Sequence, residues 1–201
     1  MRELVYSGNT EIMNIFKRKN GILKGHFLLS SGLHSEFYLQ SALVLQYPSI
    51  TNLIAKQLKD KLKTGKIDVV LSPAIGGIII GQELADVLNK NCRAIFTERD
   101  LSSKKMILRR GFEIKKGEKV IIIEDVITTG GTTIELIELA KNYQAVLKSL
   151  CCIVDRRKQK EKIQELDVVS LIQLDIDTYV LEECPLCKKN IPLVKPGSKP
   201  T

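Results

Sequence analysis

No run of about 18 consecutive apolar residues occurs in the sequence, so it holds no membrane-spanning helix. The opening segment, MRELVYSGNTEIMNIFKRKNG, lacks the apolar core of a secretory leader, and the chain is expected to be cytoplasmic. Internal repeats and low-complexity tracts are absent. There is no G-x-x-x-x-G-K-[ST] run, so a P-loop nucleotide site is not supported. Cysteine is limited to five residues, which in such a chain argues against a disulfide framework. Cys92, Cys151 and Cys152 border or occupy apolar runs and read as small core residues. Histidine is scarcer still, with none after His34.

What remains is ordinary for a soluble globular protein: 201 residues, 44% hydrophobic and 27% charged. That excludes a disordered or fibrous chain and suits one α/β domain. The net charge of +8 is not spread evenly. Residues 97–119 carry a net +4, residues 184–201 another +4, and the remainder balances. A basic field confined to two places points to an anionic small molecule more than to a nucleic-acid footprint.

Periodicity predicts a helix over 9–19, ended by Asn20-Gly21, then short strands at 27–29 and 37–39 around a polar turn. A helix is expected from Pro48, with Ser49 as N-cap and Gly65 as stop. Beyond it the order repeats: a strand at 69–71, a turn at 72–77, a helix over 78–89 and a strand at 93–96. Residues 107–108 and 112–114 are expected to form a hairpin. An apolar strand at 120–123, a helix over 132–143 and strands at 147–154 and 168–174 complete the pattern. Continuous apolar strands alternating with helices imply a parallel sheet buried on both faces.

The most informative segment is residues 120–133, VIIIEDVITTGGTT. An apolar strand runs into Glu124 and Asp125, a Thr/Gly turn follows, and a helix begins. Gly130 and Gly131 let the backbone turn tightly and expose its N–H groups. Thr128, Thr129, Thr132 and Thr133 add hydroxyls, and the helix N-terminus adds partial positive charge. Together these make a monophosphate cradle. Two carboxylates do not suit a bare phosphate, but they suit a ligand that carries hydroxyls beside it, such as a ribose 5-phosphate.

This segment resembles the thirteen-residue signature of the type I phosphoribosyltransferases, which use 5-phosphoribosyl 1-diphosphate (PRPP) with Mg²⁺. Residues 25–40, GHFLLSSGLHSEFYLQ, look like the hood over the base in the orotate phosphoribosyltransferases of that family. The resemblance covers about residues 20–175. It implies the family's fold, a central parallel sheet flanked by helices with a small N-terminal hood. The single domain then divides into hood (1–46), core (47–175) and tail (176–201). The resemblance also implies conversion of orotate and PRPP to orotidine 5′-phosphate and diphosphate.

Carried over residue by residue, Glu124 and Asp125 hold the ribose hydroxyls. Val126, Ile127, Thr128, Thr129, Gly130, Gly131 and Thr132 form the 5-phosphate loop, with Thr128 also near the base. Ala74, Ile75, Gly76 and Gly77 face the diphosphate. Arg156 reads the orotate ring, framed by Ser31, Phe37 and Tyr38. Arg99 enters a mobile catalytic loop, 97–111, that in this family acts in trans across a homodimer; Lys104 and Lys105 are further candidates on it. Mg²⁺ is expected to be held mainly through PRPP, with no direct protein ligands. Neither a membrane nor a nucleic acid is expected as a partner.

The chain departs from the family where many members carry a hood Lys (here Ser30), a Lys in the diphosphate loop (here Gly76) and a His in the mobile loop. Lys104, Lys105, Arg109 and Arg110 are the available replacements for that charge. His26 and His34 read as hood or surface residues. Cys184 and Cys187 form the only C-x-x-C, half a zinc knuckle. The sequence offers no second C-x-x-C and no nearby His to complete it, unless two chains pool four thiolates. A purine-base phosphoribosyltransferase shares the 120–133 loop, and a PRPP-sensing nucleic-acid-binding regulator shares the fold; the hood and Arg156 favour orotate.

Overall fold

The computed structural model describes residues 4–29 and 31–196. Ser30 and the end of the basic tail, from Gly197 onward, lie outside them.

A seven-stranded sheet forms the centre. Its strands are β1 (Val5–Gly8), β4 (Val69–Pro73), β5 (Arg93–Arg99), β6 (Met106–Leu108), β7 (Lys119–Ile127), β8 (Val146–Asp155) and β9 (Val168–Asp175). Their spatial order is β1-β9-β8-β7-β4-β5-β6. The five inner strands run parallel, and the two edges, β1 and β6, are antiparallel. A second sheet, in the order β10-β3-β2, joins β2 (Ile22–Leu28), β3 (His34–Leu39) and β10 (Thr178–Tyr179). The helices are α1 (Thr10–Arg18), α2 (Ala42–Leu45), α3 (Pro48–Leu62), α4 (Gly76–Leu88), α5 (Gly131–Asn142) and the single turn α6 (Pro185–Lys188).

Both faces of the central sheet are covered, as the unbroken apolar runs predict. Along β7 the side chains alternate: Ile121 and Ile123 enter the core beneath α1, α3 and α4, while Val120 and Ile122 enter the one beneath α5. Cys151 and Cys152 divide between the two cores in the same way, and both are fully buried.

Four expectations change. The segment 1–46 is not all hood: β1 pairs with β9, and Ile12, Met13 and Phe16 of α1 lie in the main core. The hood is instead the β2–β3 hairpin completed by tail residues, through β10 and a bridge between Phe27 and Val194. Ser49 does not cap α3. Pro48 occupies the first turn, where its missing N–H costs nothing, and the helix stops at Leu62 with Lys63 left-handed. Finally, the hairpin near residue 107 forms between β5 and β6, with Thr97 opposite Leu108. Ile114 is buried and Phe112 half-buried without strand pairing, Phe112 edge-on to the ring of Phe96 at 5.1 Å.

Candidate active site

From β4 the chain crosses through α4 to β5, on one side. From β7 it crosses through α5 to β8, on the other. The connections therefore diverge between the adjacent strands β4 and β7. Open parallel sheets bind ligands at such a point, beyond the carboxyl ends of the strands. Residues 74–77 and 124–132 both begin there, so the two loops singled out in the sequence flank one crevice.

Each loop ends in a helix N-terminus. Gly130, at φ 85°, precedes α5, and no side chain caps that helix. Ile75 precedes α4, also with no side-chain cap. The first amides of both helices are thus available to anions, and each carries the positive end of a helix dipole. Thr128 and Thr129 are exposed on the 124–132 loop, and Thr132 is half-buried in the first turn of α5.

The alternation of β7 splits its two carboxylates. Glu124 is buried on the α5 side, where the hydroxyl of Thr133 donates to Oε1. Burial pushes Glu124 up to about 7; the Thr133 hydrogen bond opposes this and the Asp125 charge adds to it. Asp125 faces α4 instead. Burial raises it as well, offset by Ser41 and the Val126 amide. A Cβ added to Gly76 would stand 2.5 Å from Asp125 Oδ1. The absence of a lysine at 76 therefore has a local reason: any side chain there would displace Asp125. Thr133, expected from the sequence as a cradle hydroxyl, is instead buried against Glu124, and Ser41 was not singled out at all. The buried alternation of β7 points toward Thr133, but only tertiary structure brings in Ser41.

At the end of β8 two arginines stand side by side with different fates. Arg157 is committed: its Nε and Nη2 donate to Asp155 at 3.1 and 2.9 Å, and Nη1 donates to the Glu161 carbonyl at 2.6 Å. Burial would raise Asp155, but the hydrogen bonds and charge of Arg157 outweigh it and hold the carboxyl low. Arg156 donates its backbone N–H to the Ile127 carbonyl, and its Nε is buried without a hydrogen-bond partner among the described residues. Burial alone pulls the Arg156 pKa below the ordinary arginine value. A desolvated guanidinium with an unmade bond is costly unless an acceptor arrives.

The other predicted residues are distributed unevenly. Phe37 packs onto the main core and Tyr38 onto Phe27 at 5.8 Å, because neighbours on a strand face opposite ways. The two rings therefore do not frame one ligand from the same side. Ser31 is exposed in the hairpin turn. Arg99 is not brought to the crevice: its guanidinium pairs with Glu135 at 3.1 Å and donates to the Lys104 carbonyl. Lys104 and Lys105 are exposed in the β5–β6 loop. Arg110 pairs with Glu98 at 2.6 Å and lies over Phe96, as a surface hairpin residue does.

His26 and His34 are hood residues but not surface ones, being 2% and 4% exposed. They meet Cys184 and Cys187, so the expectation of no nearby histidine for that pair is overturned by the tail folding back onto the hood.

Residues 42–185 match the model of the phosphoribosyl transferase domain. A curated orotate phosphoribosyltransferase from Caldicellulosiruptor bescii is 48% identical over 187 residues, covering 93% of this chain and 96% of that protein. The crystal structure of orotate phosphoribosyltransferase from Aeropyrum pernix superposes with a TM-score of 0.66 at 23% identity, covering 80% of this chain and 92% of that one. Adenine phosphoribosyltransferase from Thermoanaerobacter pseudethanolicus also superposes, with a TM-score of 0.59 at 18% identity, covering 68% of this chain and 88% of that one. The fold is therefore common to enzymes of different bases and does not choose among them.

Proposed function

The chain belongs to the type I phosphoribosyltransferases and stands among the orotate phosphoribosyltransferases of that family, and from this premise we propose how its residues divide the reaction. The enzyme joins orotate to PRPP, giving orotidine 5′-phosphate and diphosphate in pyrimidine biosynthesis. The 128–132 loop and the first turn of α5 take the 5-phosphate. Residues 74–77, at the uncapped start of α4, face the diphosphate. Asp125 and Glu124 hold ribose hydroxyls from opposite faces of β7, which fixes the sugar for in-line attack by the ring nitrogen.

One observation carries the assignment of the base: the buried Nε of Arg156 that lacks an acceptor. Orotate brings a carboxylate and ring carbonyls, and a guanidinium pairs with such groups through parallel N–H bonds. Purine bases bring no carboxylate.

Bond breaking at the anomeric carbon builds positive charge on the ribose and negative charge on the departing diphosphate. The donor set fits a Mg²⁺ held mainly through PRPP: the loops offer amides, hydroxyls and the carboxylate of Asp125, not the several carboxylates of an all-protein site. Once bound with PRPP, the ion supplies neutralisation of diphosphate charge. The α4 amides add fixed dipoles to the same end.

The enzyme acts as a homodimer in the cytoplasm. Ile75 and Leu101 are apolar and each 85% exposed, so they offer surface to a second copy. Lys104 and Lys105, next to Leu101, reach the partner's diphosphate when the loop closes. Free cysteines suit a reducing compartment.

A spectrophotometric assay of orotate loss with PRPP and Mg²⁺, run beside uracil, adenine, guanine and hypoxanthine, tests this. Turnover of orotate alone is expected. Turnover of another base instead would overturn the role of Arg156.

A further inference from the structure

Four potential metal ligands converge far apart in sequence. His26 and His34 come from the hood hairpin, Cys184 and Cys187 from the tail, and their ligand atoms all lie within 4.8 Å of one another. Three are buried; Cys187 is partly exposed and gives the cluster an entrance. We propose that these four side chains form a closed structural zinc site that staples the C-terminal tail to the hood.

The distances fit a tetrahedral Cys₂His₂ ion. Sulfur and nitrogen ligands at the usual zinc bond lengths lie about 3.5 Å apart across a tetrahedron. Here Cys187 Sγ is 3.3 Å from His34 Nδ1 and 3.7 Å from His26 Nε2, and Cys184 Sγ is 3.6 Å from His26 Nε2. The two imidazole nitrogens are closer, 2.8 Å. Binding would spread them to about 3.3 Å.

The surroundings set the tautomer that a metal requires of His26. His26 Nδ1 lies 2.8 Å from the Ile191 carbonyl, which can only accept, so the proton sits on Nδ1. The Nε2 lone pair is thereby turned into the cluster, the arrangement that orients a metal-bound imidazole. Pro185 starts the single turn of α6, and a C-x-x-C on one helical turn brings both thiols to one side. The β-bulge between Lys24 and Phe27 re-aims the strand at His26, whose ring lies 4.9 Å from that of His34 with the two nitrogens edge to edge.

Two thiolates with two imidazoles select zinc among the common divalent ions. Four protein ligands leave no open position, so the role is structural. The ion closes a fold-back that main-chain contacts begin: Val194 donates to the His26 carbonyl, and Leu28 donates to the Val194 carbonyl.

The test needs no substrate. Reduced, chelator-treated protein is titrated with Zn²⁺, and separately with Co²⁺ as a spectroscopic probe. About one ion per chain is expected, and Co²⁺ should give the intense visible absorption of a tetrahedral thiolate site. Cys187→Ser, at the most exposed ligand, should cut uptake at least tenfold and abolish the thiolate-to-cobalt charge-transfer band. Uptake below about a tenth of an ion per chain by the wild-type protein would overturn the proposal. So would a pale six-coordinate cobalt spectrum. A Cys184–Cys187 disulfide with no metal uptake after reduction would overturn it too. None of these readouts depends on orotate turnover.

Discussion

At the scale of single residues, the crevice is organised by side chains with unmet or strained requirements. Arg156 is the clearest. Arg156→Ala removes a guanidinium whose buried Nε has no partner among the described residues, so the fold should persist while kcat/KM for orotate falls by about 10²–10³, as expected for losing a charged hydrogen-bonded contact. Steady-state kinetics with orotate varied at saturating PRPP checks this. Glu124 makes the opposite point. Its carboxyl is raised from 4.5 to about 7 in the folded state, so the folded protein binds the extra proton between those values. Stability must therefore fall as pH rises through that window and stay reduced above it. Glu124→Gln keeps an acceptor for Thr133 and abolishes the slope. At pH 8 it should be the more stable protein, by on the order of 2–3 kcal/mol, with little difference at pH 4. Chemical denaturation across pH checks this, and PRPP affinity should drop in the same variant. The acidic pair was legible in the sequence because an unbroken apolar strand ends on it. Its division between two faces follows from strand alternation, but the partner Thr133 of Glu124 comes from another element that local pattern does not connect.

At the scale of elements, the apolar runs of β4, β7, β8 and β9 marked buried parallel strands, and those strands are where expected, extended by a few residues. The failures share a cause. β1 is four residues and mostly exposed, β10 is two residues, and β6 is an edge strand of three. Such strands are defined by what they pair with, and pairing is not encoded in their own periodicity. The turn entering α5 was legible because it demands glycine. Gly130 sits at φ 85°, and an added Cβ would meet Ile163 Cδ1 at 3.1 Å. Gly130→Ala should cost about 1–2 kcal/mol of stability and weaken PRPP binding through the displaced α5 amides. Thermal unfolding and PRPP titration together check it. Serine in place of Thr129, whose hydroxyl is exposed, should leave the stability unchanged.

At the scale of the whole molecule, two observations set the logic of assembly. The β5–β6 loop presents Leu101, Lys104 and Lys105 to solvent, and Arg99 is held on Glu135 of its own chain. If the loop serves a neighbour, Asp125→Ala and Lys105→Ala should each be nearly inactive alone. A mixture should regain activity, because a hybrid dimer has one site with both lesions and one with neither. Equal mixing and subunit exchange should restore about a quarter of wild-type activity. No recovery would place the loop in cis. The clustering of positive charge at 97–119 was legible in composition; its division among ion pairs, such as Arg110 with Glu98 and Arg99 with Glu135, was not.

The hood has a further consequence, in the order in which the molecule is made. Its hairpin, β2–β3, leaves the ribosome well before its third strand, β10, and the bridging Val194. Roughly 140 residues separate β3 from β10, on the order of ten seconds of synthesis. Throughout that interval the hairpin has both outer edges uncovered and half of a cysteine–histidine cluster unmatched. A nascent chain that has completed the turn into α5 therefore still lacks both flanks of its smaller sheet. A chain released before Thr178 therefore carries the crevice between β4 and β7 and a bare β2–β3 hairpin, with neither β10 nor Val194 to flank it.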